Sequence, residues 1–259
     1  MTVDLELLGR LADINLAGSW NAFARLGGGR TGRSDTCTFA ATGLPMAFFN
    51  GAFVAGEVDD PDRVVADAIG FFAEIDVPWL LWVRESVDDA LVEAGRRAGL
   101  EQSSGPPVMA MAPIPDMIPA AADGLTVATA TDTAAIEVFR DLAARGFGMP
   151  REIGDRIVSD AILDDPNLAA VLGTVGGEPV SCALVSVTGT TAGIYNVATP
   201  EEYRRRGYGA ALTWAAIEEG ARRGCDHTIL QASEMGAPVY RAMGYVDIGT
   251  YVQLAGPPR

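Results

Sequence analysis

The sequence contains no lysine: all 19 basic residues of its 259 are arginines, set against 34 acidic ones. The resulting formal charge of −15 argues against a general nucleic-acid binder, which needs a basic footprint. It favours the approach of cationic ligands such as protonated amines. Histidine occurs once, as His227, and cysteine three times, at Cys37, Cys182 and Cys225, with no CxxC pair. That leaves no zinc-ligand set and no disulfide framework, and buried apolar thiols are expected. A Ser-His-Asp triad would have to recruit the one histidine, and no G-x-S-x-G turn accompanies it. No run of about 18 apolar residues is present, so no spanning helix and no membrane partner are expected. The start, Met1 to Glu6, is acidic and lacks the flanks of a signal peptide, which implies a cytoplasmic protein.

The length suggests one large or two modest domains at roughly 150 residues each. The segment Pro113 to Gly124, with three prolines and few large apolar residues, reads as a linker between equal halves. After it, the pattern predicts a short strand from Leu125 and a helix with N-cap candidates in Thr131-Asp132-Thr133, carrying Ile136, Phe139 and Leu142. A second helix is expected around Pro150 to Leu163, then a hairpin turning at Gly176-Gly177 and a strand from Ala192 to Thr199. A helix from Gly207 is expected to bury Ala210, Trp214, Ile217 and Ala221. A strand from Thr228, a short helix from Pro238 and a last strand from Val246 close an α/β pattern.

The first half repeats this order. It predicts strands over 45–54, 78–83 and 108–112 with helices over 61–72 and 87–98. Phe49-Asn50-Gly51 parallels Tyr195-Asn196-Val197 at an offset of about 145 residues, as an internal duplication requires. The glycine run 27–32 reads as a flexible loop.

The chemically informative segment runs from Tyr195 through Arg204-Arg205-Arg206-Gly207-Tyr208-Gly209-Ala210, between a strand and a helix. Glycines allow a tight turn and close ligand approach. The free amides and dipole of the new helix make an anion site, and three arginines add local positive charge suited to a pyrophosphate. No Gly-Lys-Ser/Thr follows, so the loop is not a Walker A motif. Arg stands where a dinucleotide fingerprint needs its first glycine and Leu212 where it needs its last.

Arg204-x-x-Gly207-x-Gly209, followed downstream by Pro238-Val-Tyr240-Arg-Ala-Met-Gly244-Tyr245, resembles the two motifs of the GCN5-related N-acetyltransferases (GNATs). The resemblance covers about Leu125 to Leu254. It implies an α/β (α+β) fold with two GNAT-like domains, each a mixed, mostly antiparallel central sheet flanked by helices. Residues 1–115 would be a degenerate copy and 124–259 the catalytic one. It also implies acetyl-CoA as cosubstrate, no metal, and a small-molecule or peptide amine as acceptor. Cofactor contacts carry over to Val197, Ala198, Thr199, Arg204, Arg205, Arg206, Gly207, Tyr208, Gly209 and Ala210. Asn196 would mark a strand bulge freeing a backbone N–H for the thioester carbonyl, and Tyr240 would be the general acid. Ser233 stands where many members have Asn. The strand before the loop lacks the Glu that serves many members as base. A water held by Asn196 or Tyr195, Glu234, or no base at all for an amine arriving neutral remain open. In the first half, Glu57 to Asp62 replaces the arginine loop, and carboxylates there would repel phosphates.

Two further readings belong to other classes: a non-catalytic coenzyme A sensor or scaffold, and a nucleotide-binding protein using the same loop.

Overall fold

The computed structural model describes residues 4–85, 87–119 and 122–256. Its core is one continuous sheet of eleven strands. The first half contributes α1 (Leu5–Leu26), β1 (Arg30–Ser34), β2 (Cys37–Ala41), β3 (Asn50–Val54), α2 (Pro61–Ile75), β4 (Leu80–Arg84), α3 (Asp89–Arg97) and β5 (Glu101–Met111). The second contributes β6 (Leu125–Thr129), α4 (Thr133–Phe147), α5 (Arg151–Ile157), β7 (Leu168–Val175), β8 (Glu178–Thr188), β9 (Thr191–Ala198), α6 (Tyr208–Arg222), β10 (His227–Gln231), α7 (Ala237–Met243) and β11 (Val246–Ala255).

Strand order is β1-β2-β3-β4-β11-β5-β10-β9-β8-β7-β6. Only β3 with β4 and β9 with β10 are parallel, so the sheet is mixed and mostly antiparallel, as expected. The two closing strands are exchanged. β5 leaves the first half to pair with β10, and β11 returns from the second to pair with β4. The central ladder is the β5–β11 pair. The linear boundary near residue 115 therefore does not coincide with a gap in the sheet.

The halves repeat one plan. α2 and α6 begin 147 residues apart, at Pro61 and Tyr208, and so do β4 and β10, at Leu80 and His227. Helices α2 and α4 start at side-chain caps: Asp60 caps α2 by accepting from the Arg63 N–H, and Asp132 caps α4 from Ala135, satisfying amides the helix cannot.

Several expectations are corrected. Residues 47–49 form a 3-10 turn, and β3 starts only at Asn50. The expected helix over 150–163 is broken into α5 and a 3-10 turn over Asp160–Asp164. Of the glycine run, 30–32 lie in β1. β5 begins at Glu101, well before Val108. The linker is partly anchored: the Ile114 N–H donates to the Asp226 carbonyl at 2.8 Å, and Ile114 and Ile118 pack on the core. Its residues 120 and 121 lie outside the described residues. On α6 the buried residues include Tyr208, Leu212, Ala216 and Ile217, while Ala210 and Trp214 are half-buried and Ala221 is exposed.

Helix α1 was not expected, and it joins the halves. It packs across β2, β3, β8 and β9, and its apolar residues share one core with Phe139 and Leu142 of α4. Its buried polar residues reach both sides. Asp13 pairs with the Arg84 Nε at 3.0 Å and accepts from the Tyr251 hydroxyl at 2.9 Å. Asn15 Nδ2 donates to the Ser186 carbonyl at 2.9 Å, and Ser19 meets Ser186 Oγ at 2.8 Å. The three cysteines are free and buried. His227 sits in the sheet with Nε2 2.7 Å from Thr191 Oγ1. Among the described residues no cluster of three metal-ligating side chains occurs, and no helix is long and apolar enough to cross a membrane.

Candidate active site

The site begins where two parallel strands part. β9 and β10 pair only at Thr191/His227, Ala192/Thr228 and Gly193/Ile229. Beyond that point β10 stays with β5 through Gln231, while β9 follows β8. The edge of residues 194–198 facing β10 is left without a ladder partner. A cleft at the carboxyl ends of parallel strands is where open sheets place ligands. The parting coincides with a bulge: the β8–β9 register slips between Cys182/Ala198 and Leu184/Tyr195, and Asn196 there has φ +48°. Asn tolerates this left-handed region better than most residues, and an extra residue in one strand re-aims the chain.

After β9 the chain makes a 3-10 turn over Glu201–Tyr203 and enters α6 through Gly207, whose φ of +78° suits glycine. Arg204 does not project into solvent. Its Nε donates to the Thr199 carbonyl at 3.0 Å and its Nη2 to the Gly146 carbonyl at 2.7 Å. It braces the loop against the end of α4. Close packing there depends on Gly146, because a Cβ at that position would stand 2.8 Å from the Ala198 Cβ. Arg205 (φ +63°) and Arg206 are exposed and free to meet a phosphate. The Tyr208 side chain is buried in the core, so only its backbone can serve a ligand. Amides of the first turn of α6 lack intrahelical acceptors and, with the helix dipole, favour an anion. Ser181 fixes the strand end, with Oγ 2.8 Å from both the Ala198 carbonyl and Thr199 Oγ1.

Tyr240 of α7 faces the cleft from the β10 side. Its ring stands edge-on to Tyr245 at 5.8 Å. Burial pushes its phenol up to about 12, so it remains protonated at neutral pH. Ser233 is exposed and its Oγ accepts from the Gly236 N–H at 3.1 Å, in the turn that leads into α7, and its hydroxyl hydrogen is left to donate. Tyr195, in contrast, turns its hydroxyl away to donate to Asn15 Oδ1 at 2.8 Å. That bond engages its one donor and leaves the phenol oxygen only acceptor capacity for a water. Glu234 is exposed and outside the cavity wall.

The cleft deepens into a cavity of about 490 Å³. Asn196, Val197, Ser233 and Tyr240 form one wall. The first half supplies another: Leu16, Trp20 and Phe23 of α1, Met46, Phe48 and Phe49 from the turn before β3, and Trp82 of β4. Phe147, Met149 and Ile157 complete it. Among the described residues no Asp, Glu, Arg or His lines it. The turn before β3 is held by the buried Asn50, which accepts from the Thr42 N–H at 3.0 Å and donates to the Leu44 and Pro78 carbonyls at 2.8 and 2.9 Å. These wall residues from the first half were not anticipated. The signal was present: Asp4 as a cap and Leu16, Trp20 and Phe23 at helical spacing.

Residues 135–245 match the family model described as Acetyltransferase (GNAT) family. The structure is similar to a GCN5-related N-acetyltransferase from Kribbella flavida, at 21% identity and a TM-score of 0.74, covering 95% of each chain. It also resembles a GCN5-related N-acetyltransferase from Sphaerobacter thermophilus, at 19% identity and a TM-score of 0.61, over 86% of this chain and 77% of that one. A third likeness is to a tandem GNAT protein from the clavulanic acid biosynthesis pathway, at 15% identity and a TM-score of 0.60, over 94% and 95% of the two chains. At these identities the likeness is one of fold. No curated protein matches the chain.

Proposed function

From the premise that this chain belongs, through its second half, to the GNAT acetyltransferase family, we propose that it transfers the acetyl group of acetyl-CoA directly to a primary amine of a small molecule or peptide. The observation that carries this reading is the parting of β9 and β10 beside the N-terminus of α6, with Tyr240 across the gap. We further propose that the chain is a tandem of two GNAT-like halves of which only the second binds the cosubstrate. The matching turn before α2 has exposed carboxylates at Glu57, Asp59, Asp60 and Asp62, which oppose a phosphate.

The residues divide the work as follows. The first-turn amides of α6, with Arg205 and Arg206, hold the pyrophosphate, while Arg204 keeps the loop in place. The free edge of Val197 to Thr199 hydrogen-bonds the pantetheine arm as an added strand would. A backbone N–H at the Asn196 bulge polarises the thioester carbonyl, as an oxyanion hole does. The amine nitrogen forms its bond to the carbonyl carbon as the carbon–sulfur bond breaks, and the electron pair leaves with sulfur. The proton lost by nitrogen balances the one gained by the thiol. Tyr240 donates a hydrogen bond to the departing sulfur. Its phenol, at about 12, is a weaker acid than a thiol near about 8.5. Its largest effect is therefore on charge developing in the transition state.

The test is titration calorimetry with acetyl-CoA, ATP and NAD, followed by an amine screen. One-site binding of acetyl-CoA alone, weakened by neutralising Arg205 and Arg206, supports the reading. Two equivalent sites would overturn the inert first half, and a preference for ATP or NAD would favour a nucleotide binder. Tyr240→Phe should keep acetyl-CoA affinity and reduce turnover by roughly 10²-fold or more. Binding with no turnover on any amine would instead favour a non-catalytic coenzyme A sensor.

A further inference from the structure

We propose that the acceptor is a monoamine with an apolar, aromatic-sized body, taken into the cavity as the uncharged free base; this rests on the acetyl-transfer reading above. The protein as a whole is strongly acidic, yet its cavity is not. The acidic surface can gather cations, but the wall selects among them by a different chemistry.

Three observations point the same way. First, among the described residues the wall contains no carboxylate, so no opposite charge in it compensates an ammonium for lost water, and burial in such a site favours the neutral amine. The titratable groups of the wall are the phenols of Tyr195 and Tyr240, both raised by burial, so neither supplies a negative charge at neutral pH. Second, the polar side chains of the wall besides the phenols, Asn196, Gln231 and Ser233, are neutral amides and a hydroxyl. They offer an entering amine hydrogen bonds but no opposing charge. Third, the mouth is rimmed by large apolar side chains left in contact with water: Phe48 at 50%, Phe147 at 47% and Met46 at 41% exposure. They come from opposite halves of the chain, and an exposed apolar rim around a concave site marks a binding surface.

This accounts for the base that the strand before the loop lacks. An ammonium entering the cavity leaves its proton with bulk water, and the neutral nitrogen then attacks without a carboxylate. Amines that are already weak bases gain most. An α-amine near about 8 is present as free base at neutral pH roughly 10²-fold more than a lysine-like amine near about 10.4.

The experiment compares three acceptors at pH 7 with acetyl-CoA saturating: phenylalanine amide, 2-phenylethylamine and spermidine. The expected order of kcat/KM is phenylalanine amide, then 2-phenylethylamine, with spermidine at least 10²-fold below the first. Phe48→Glu, at an exposed rim position, should lower kcat/KM for both aromatic amines at least tenfold while leaving the acetyl-CoA Kd unchanged. Calorimetry of each amine into coenzyme A-loaded protein gives a second readout. Spermidine matching or exceeding the aromatic amines overturns the proposal and leaves acetyl transfer intact. So does a loaded protein that neither binds nor acetylates either aromatic amine. Failure to bind acetyl-CoA at all is a different result and removes the underlying reading.

Discussion

Replacing Arg204 separates two roles that its charge alone cannot distinguish. In the structure its guanidinium spans two backbone carbonyls, of Thr199 and Gly146, and so ties the loop after β9 to the end of α4. Hydrogen bonds from a charged donor contribute about 1.5–3 kcal/mol each when buried, and these are only partly shielded from water. Losing both in Arg204→Ala is expected to cost about 2–3 kcal/mol, or a Tm lower by roughly 4–12 °C for a chain of this size. Arg204→Lys keeps the charge and loses the fork, since an ammonium is a point donor on a flexible stem. A brace predicts that Lys fails almost as badly as Ala, in both Tm and acetyl-CoA affinity. A phosphate ligand predicts that Lys largely rescues affinity, with strong salt dependence in the wild type that Ala abolishes. Differential scanning fluorimetry with calorimetry at two salt concentrations reads both. Full rescue by Lys, with the Tm of Arg204→Ala unchanged, would refute the bracing role.

Two other consequences can be checked. A Cβ on Gly193 would stand 2.0 Å from Asn15 Oδ1 and 2.5 Å from the Tyr195 ring. Gly193→Ala should therefore cost roughly 2–4 kcal/mol in urea unfolding, and a smaller cost in an Asn15→Ala background would identify Asn15 as the group displaced. Burial lifts the Asp13 carboxyl to about 6, against the pull of Arg84 and the Tyr251 hydroxyl. The folded state then binds a proton that the unfolded chain has released. This group's contribution to stability falls as pH rises from about 4 to about 6, by about 3 kcal/mol at most. Wild type minus Asp13→Asn stability, from urea midpoints across that range, should decline with pH; a rise would mean that the Arg84 pair outweighs desolvation.

Much of the second half was legible in the sequence because its elements announce themselves locally. Asp132 caps α4, the Gly176-Gly177 turn sets the β7–β8 hairpin, and Gly207 opens α6. What was missed depends on long-range contacts. α1 hides its buried face behind Asp13, Asn15 and Ser19, polar residues that sit in the core only because Arg84, Tyr251 and Ser186 satisfy them from afar. Gly105, Pro106 and Pro107 argue against the long β5, yet the strand tolerates them where its ladder with β11 slips register. The exchange of closing strands cannot be read locally, since a strand pairing with its own half or with the other shows the same alternation. At the site, the structure brings the loop, the cleft and Tyr240 together, but Arg204 and Tyr208 turn inward. Their spacing is that of a ligand loop, and only the carbonyls and core around them reveal the other use.

The strand exchange also orders events during synthesis. β4 waits for β11, which leaves the ribosome about 160 residues later, or roughly 10–30 s at ordinary elongation rates. For that interval the nascent first half carries an open strand edge, the kind of surface that recruits wrong partners. The second half in turn takes its neighbour for β10 from chain already made. Each half thus acts as the other's last folding step. Recombination or truncation at the midpoint is therefore expected to leave both sheets unfinished, whichever half carries the chemistry.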